Sequence, residues 1–116
     1  MTPAGCAAQL TDIGSLDDIP LGEGRTCVVG GLEIAVFRTR EGEVHAVQAR
    51  CPHRGGPLAD GLVGGGSVVC PLHARRFDLR TGEPVGDRCR ALATYQVEVT
   101  AERRLLLRQP ARSDAA

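Results

Sequence analysis

Cys51-Pro52-His53 and Cys70-Pro71-Leu72-His73 each set one thiolate and one imidazole in a short run, with residues 54–69 between them. Thiolates and neutral imidazoles are ligands for soft and borderline metals. Two of each satisfy a tetrahedral zinc ion. They equally satisfy a two-iron, two-sulfide cluster in which two His replace two Cys on one iron. Zinc modules usually present a Cys pair and then a His pair. Here each run carries one of each, so both runs feed two unlike halves of one centre.

The residues around the ligands restrict the backbone. A proline follows each cysteine, which holds that cysteine in extended geometry and fixes the next φ. Gly55-Gly56-Pro57 follows His53 and permits a sharp turn that brings N–H groups close to a buried inorganic sulfide. Gly64-Gly65-Gly66 ends the connector before a short strand, residues 67–69, delivers Cys70.

The elements that must position these loops read as strands. A first strand covers residues 9–13, and Ser15 opens a turn or one helical turn over residues 15–20. Gly22-Glu23-Gly24 is a break. Residues 26–29 and 32–38 form a hairpin around Gly30-Gly31. In its second arm Ile34 and Val36 share one face, Ala35 and Phe37 the other. Residues 40–43 turn, and a strand over 44–49 alternates Val44, Ala46 and Gln48 with His45, Val47 and Ala49 before it runs into Cys51. Residues 76–79, a turn over 81–84, and a final hairpin of 94–99 with 105–108 complete the set. No helical period is sustained. The expectation is a small antiparallel β-structure with an irregular insertion, residues 50 to about 75, that carries the ligands.

Composition agrees with this class. A chain of 116 residues fits one domain. Phe37, Phe77 and Tyr95 are its only aromatic residues, so Val, Leu, Ile and Ala must supply the core. The 15 glycines favour short strands over long helices. The formal net charge of +0 argues against nucleic acid as a partner. No apolar run has spanning length, and no secretion signal is read at the start, so no membrane role and a cytoplasmic location are expected. In a reducing compartment clustered cysteines serve metals rather than disulfides. Cys27 reads as a small buried hydrophobe, Cys89 as a loop thiol among arginines, and Cys6 as part of a tail. His45 reads as a half-buried structural residue. Flexible tails are expected over 1–8 and 109–116.

With both runs in view, Cys51-Pro52-His53-Arg54-Gly55-Gly56-Pro57-Leu58 and Cys70-Pro71-Leu72-His73 resemble the Rieske [2Fe–2S] family, as does Phe77-Asp78-Leu79-Arg80-Thr81-Gly82-Glu83. The resemblance implies an all-β, Rieske-type antiparallel β-sandwich over residues 9–108, built of three sheets, with a small cluster-binding subdomain at about 50–86. It implies a Rieske-type [2Fe–2S] cluster, with Cys51 and Cys70 on the inner iron and His53 and His73 on the outer one. Respiratory and photosynthetic members carry an extra cysteine in each loop; this chain has Gly56 and Leu72 there. Ring-hydroxylating oxygenases add a large second domain, for which this chain has no room. Residues 36–46 and 56–61 resemble the small subunit of NAD(P)H-dependent nitrite reductase. That implies a non-catalytic electron-transfer subunit in nitrate assimilation, whose partner is a large subunit bearing flavin, sirohaem and iron–sulfur. The alternative is a stand-alone ferredoxin serving a reductase and an aromatic-ring dioxygenase. Ferredoxin-like members often lay a proline-containing loop over the cluster near residues 85–90; here the nearest proline is Pro84.

Two electrostatic expectations follow. Arg50, Arg54, Arg75 and Arg76 flank the ligands in sequence and form a candidate basic rim for an acidic partner. Neutral imidazoles in place of thiolates make an electron easier to accept, and hydrogen bonds to the sulfurs raise the potential further. High-potential members place a serine and a tyrosine after the second His; Arg75 and Phe77 stand there instead. The reduction potential should therefore lie at the low end of the Rieske range, about −150 mV or somewhat above. Protein-film voltammetry that returned more than roughly +100 mV would contradict this assignment.

Overall fold

A computed structural model describes residues 10–50, 57–71, 75–86 and 91–108. Its regular elements are strands and two single 3-10 turns. Strand β1 spans Leu10–Ser15, β2 Glu23–Val29, β3 Leu32–Arg38 and β4 Val44–Gln48. Then come β5 Leu62–Gly64, β6 Ser67–Val69, β7 Arg76–Asp78, β8 Pro84–Val85, β9 Thr94–Val99 and β10 Arg104–Arg108. Every strand pairing is antiparallel.

Six strands form the larger sheet, in the order β1-β10-β9-β4-β3-β2, and four form the smaller, β5-β6-β7-β8. The larger sheet has two halves that meet at β9. There only Ala46↔Tyr95 and Val47↔Thr94 pair with β4, and the structure has two sheets where three are expected.

The hairpins follow from local chemistry. Gly30 and Gly31 both adopt positive φ, 58° and 82°, as the tight turn between β2 and β3 requires. Ser15 caps the 3-10 turn Leu16–Asp18: its hydroxyl accepts from Asp17 N–H at 3.1 Å, and Asp18 accepts from Ser15 N–H at 3.1 Å. Arg38 then donates to the carbonyls of Leu16 and Ile19, at 3.4 and 3.0 Å, which fastens the turn to β3.

Strand β3 is the wall between two cores, because both of its faces are buried. Ala35 and Phe37 join Val47, Ala49, Leu58, Val68, Cys70, Phe77, Leu79 and Leu92 in one core. Ile34 and Val36 join Leu16, Ile19, Val29, Ala46, Leu105 and Leu107 in the other. Phe37 and Phe77 are fully buried and are the largest side chains in the first core. That core lies between the larger sheet and the small one.

Two expectations change. Residues 22–24 are not a break; β2 begins at Glu23. Gly24 sits in the strand because a Cβ there would come within 2.4 Å of the Phe37 ring, so its role is close packing rather than turning. Nor is the insertion simply irregular. It contains a 3-10 turn, Leu58–Asp60, and the β5–β6 hairpin, closed by Gly65 and Gly66 at φ 59° and 77°. Residues 67–69 form β6 as expected, whereas β5, also three residues long, carries too little alternation to be read as a strand. The first and last segments, including Cys6, lie outside the described residues.

The β9–β10 turn is tied to the start of the chain by charge. Arg103 binds Asp17 at 2.6 Å, and Arg104 binds Asp12 at 2.8 Å. These guanidinium hydrogen bonds are the largest cause holding both carboxyls below the usual carboxylate range. A carboxyl whose pKa is lowered on folding adds stability above its unfolded pKa and loses it as pH falls through the folded one. Urea midpoints should therefore fall on acidification from about pH 4 downward. The D12N/D17N variant should be less stable at neutral pH and lose less over the same interval; an identical acid slope would show that these pairs contribute nothing.

Candidate metal centre

Each candidate ligand run is bracketed by backbone bonding between described residues. For the first, Leu58 N–H donates to Ala49 C=O at 2.9 Å, and Arg50 and Pro57 form an isolated antiparallel bridge. The chain thus leaves the end of β4 and returns beside it. For the second, Cys70 N–H donates to Arg75 C=O at 2.7 Å. The chain leaves β6 and re-enters as β7, its direct neighbour. Strand pairing thereby fixes where both loops begin and end.

Of the four ligand candidates, Cys70 is described and Cys51, His53 and His73 lie outside the described residues. Cys70 is a free thiol, 1% exposed, at the end of β6 among Val68, Phe77 and Leu79. A buried free sulfur at a loop clamp suits a soft metal. Among the described residues no three His, Cys, Asp or Glu side chains group together.

The packing next to Cys70 leaves no slack. A Cβ on Gly61 would lie 2.1 Å from the carbonyl oxygen of Val69, the residue before Cys70. Gly82, at φ 81°, would place one 2.2 Å from Leu92 C=O, and it closes the third loop of the small sheet by accepting Leu92 N–H at 2.6 Å. Phe77 is fully buried and supplies no hydroxyl. Residues 87–90, Cys89 included, lie outside the described residues; Pro84 belongs to β8, where it pairs with Phe77.

The remaining candidates separate. Arg50 donates to Glu33 at 3.0 Å, so its charge is neutralised within the chain rather than offered to a partner. Arg75 is half-buried, Arg76 is exposed, and Arg54 is outside the described residues. His45 is half-buried with its Nε2 3.1 Å from Glu43 Oε1, a structural setting. Cys27 packs beside the second core, and burial pushes its thiol pKa up, as expected of a small apolar residue. Among the described residues no helix is long and apolar enough to cross a membrane.

Comparison with known proteins decides what this scaffold is. The family model for the Rieske [2Fe-2S] domain matches residues 9–96. The chain belongs to the Rieske family. Its cofactor is accordingly a Rieske-type [2Fe–2S] cluster, and it is an electron-transfer protein. The chain is 37% identical over 99 residues to a ferredoxin component of the naphthalene 1,2-dioxygenase/salicylate 5-hydroxylase systems from a Ralstonia species, covering 82% of this chain and 91% of that one. A shorter stretch of 48 residues is 54% identical to 4beta-methylsterol monooxygenase of Methylococcus capsulatus, but it spans only 13% of that protein. Among solved structures, a Mycobacterium tuberculosis protein assigned as the small subunit of an NADH-dependent nitrite reductase superposes with a TM-score of 0.83 at 29% identity, covering 90% of this chain and 98% of that one.

The Rieske scaffold makes a sharp demand at Gly61. Gly61→Ala drives a methyl group into the Val69 carbonyl, a backbone group that cannot swing aside, and should cost about 1–3 kcal/mol. Because the strain falls one residue from Cys70, the variant should retain less cluster per chain than wild type. Visible absorbance against protein concentration, with far-ultraviolet circular dichroism alongside, checks this; wild-type cluster content in Gly61→Ala would contradict it.

Proposed function

We propose that this chain is the small, non-catalytic electron-transfer subunit of an NAD(P)H-dependent nitrite reductase that reduces nitrite to ammonia. Its cluster is held by Cys51, His53, Cys70 and His73. The observation that carries the reading is the end-to-end structural likeness to the M. tuberculosis protein, which runs through both sheets. The sequence resemblance around residues 36–46 and 56–61 points the same way.

In this reading Cys51 and Cys70 ligate the inner iron, and His53 and His73 the outer one. When bound, the cluster stores one electron at a time. The chain does the rest. Cys70 keeps its sulfur in an apolar core, away from water, where a change of charge needs little solvent rearrangement. The two clamps fix Arg50 beside Pro57 and Cys70 beside Arg75, so geometry at these points changes little between oxidation states. Arg75 and Phe77 stand where a hydroxyl would lift the potential, which leaves a carrier suited to a nicotinamide-derived donor and a strong oxidant. The large subunit, with its flavin, sirohaem and iron–sulfur groups, is the partner, and the cytoplasm the location.

A second reading has its own support. The greater identity to the Ralstonia protein, over most of both chains, favours a ferredoxin that passes electrons to an aromatic-ring dioxygenase.

Growth of a deletion strain separates the two. With nitrite as sole nitrogen source, the deletion should abolish growth; the wild-type gene should restore it and Cys70→Ser should not. Normal growth on nitrite, with lost growth on an aromatic carbon source, would replace the first reading with the second.

A further inference from the structure

The outer face of the small sheet carries a row of side chains with no use inside the fold. Leu62 pairs with Val69, Val69 with Arg76, and Arg76 with Val85. Residues directly paired in an antiparallel ladder project from the same face, so these four form one line across all four strands. The adjacent line, Val63, Val68, Phe77 and Pro84, faces the core, where Val68 and Phe77 are fully buried. The outer line is open: Leu62 is 77% exposed and Val85 48%.

Charge on this line is unbalanced. Arg76 is exposed and, among the described residues, makes no ion pair. Arg25, Arg50, Arg80, Arg103, Arg104 and Arg108 each meet a carboxylate. The line also lies at the electron-bearing end of the sheet. Val69 precedes Cys70, and Arg76 follows Arg75, whose carbonyl accepts the Cys70 N–H at 2.7 Å.

We propose that this row docks the redox partner, seating a partner carboxylate on Arg76 while partner apolar side chains cover Leu62, Val69 and Val85. An arginine fork matches a carboxylate in two parallel hydrogen bonds. Apolar flanks exclude water around that pair, which strengthens it, and aromatic or arginine anchors within such dry rings carry most of the energy of known interfaces. A partner seated here has the Cys70 loop at the edge of its footprint, so docking also sets the electron path. Of the arginines expected to form a basic rim, Arg76 stands in this apolar line. The identity of the partner rests on the nitrite reductase reading; the docking chemistry is tested separately from it.

The test uses the cluster-loaded full chain as wild type, Arg76→Glu, the Leu62→Ser/Val85→Ser pair, and Arg40→Glu as a control on the turn before β4. Reduction by NAD(P)H is followed by stopped flow at rising salt, through the nitrite reductase large subunit and, in parallel, through an oxygenase-system reductase. With the donor that reduces wild type, Arg76→Glu should lower the second-order rate at least about tenfold at low salt and flatten its salt dependence. The apolar pair should lower it roughly three- to tenfold and leave the salt slope unchanged. Arg40→Glu should stay within about twofold of wild type. Visible and paramagnetic resonance spectra of all four should coincide, since the changed side chains are exposed. Rates for Arg76→Glu and the apolar pair within about twofold of wild type would overturn the proposal, as would sedimentation showing that the row joins two copies of this chain. A large subunit that fails to reduce wild type while the other reductase succeeds sinks the nitrite reading, and the docking proposal is then judged on the second donor. Wild type that neither donor reduces overturns both.

Discussion

The fold hangs on one apolar contact, the packing of Phe37 and Phe77 with Leu58 and Cys70 between the two sheets. The small sheet has strands of two or three residues and could not persist alone. Its stability comes from the inner line Val63, Val68 and Phe77 pressed on the Ala35–Phe37 face of β3. Because Cys70 belongs to that same core, its sulfur is positioned by the contact that joins the sheets. Loosening the core and displacing Cys70 are one event. This explains why glycines are placed where any side chain would intrude: Gly24 against Phe37 and Gly61 against Val69.

The sequence made the ligand chemistry and the long hairpins legible, each for a local reason. Gly30-Gly31 marks a tight turn, Ser15 opens the turn that follows β1, and residues 34–37 alternate. Each of these signals lies within a few residues. Of the small sheet, residues 67–69 and 76–79 were legible as strands, but β5 and β8 were not, because they have three and two residues and acquire an inner and an outer face only once paired. Gly24 misled for a related reason: glycine for close approach and glycine for a turn look alike until Phe37 is placed opposite. The loop clamps were also invisible, since the Ala49–Leu58 and Cys70–Arg75 bonds are made by backbone groups that every residue carries.

Charge shows the same division. Arg50, Arg75 and Arg76 look equivalent in the sequence, yet tertiary structure sorts them. Arg50 turns to Glu33 across the β3–β4 pairing, a partner 17 residues away. Arg76 is left on the outer line of the small sheet. Position beside a ligand in sequence therefore says little about where a charge is offered. The strand register decides, because a shift of one residue would exchange the Val68–Phe77 line with the Val69–Arg76 line.

That register links stability to electron transfer. The alternation that buries Phe77 necessarily exposes Arg76, and the alternation that buries Val68 brings Val69 to the outer face next to Cys70. A sheet this small has only one inner line and little more than one outer line, so the core contact and the exposed row are set together. The inner line joins the small sheet to the scaffold, and the outer line faces outward. A substitution that shifted the register would expose Phe77 and bury Arg76 without a partner, a penalty no small sheet could absorb. The orientation of the exposed row is thus as firmly specified as the core itself.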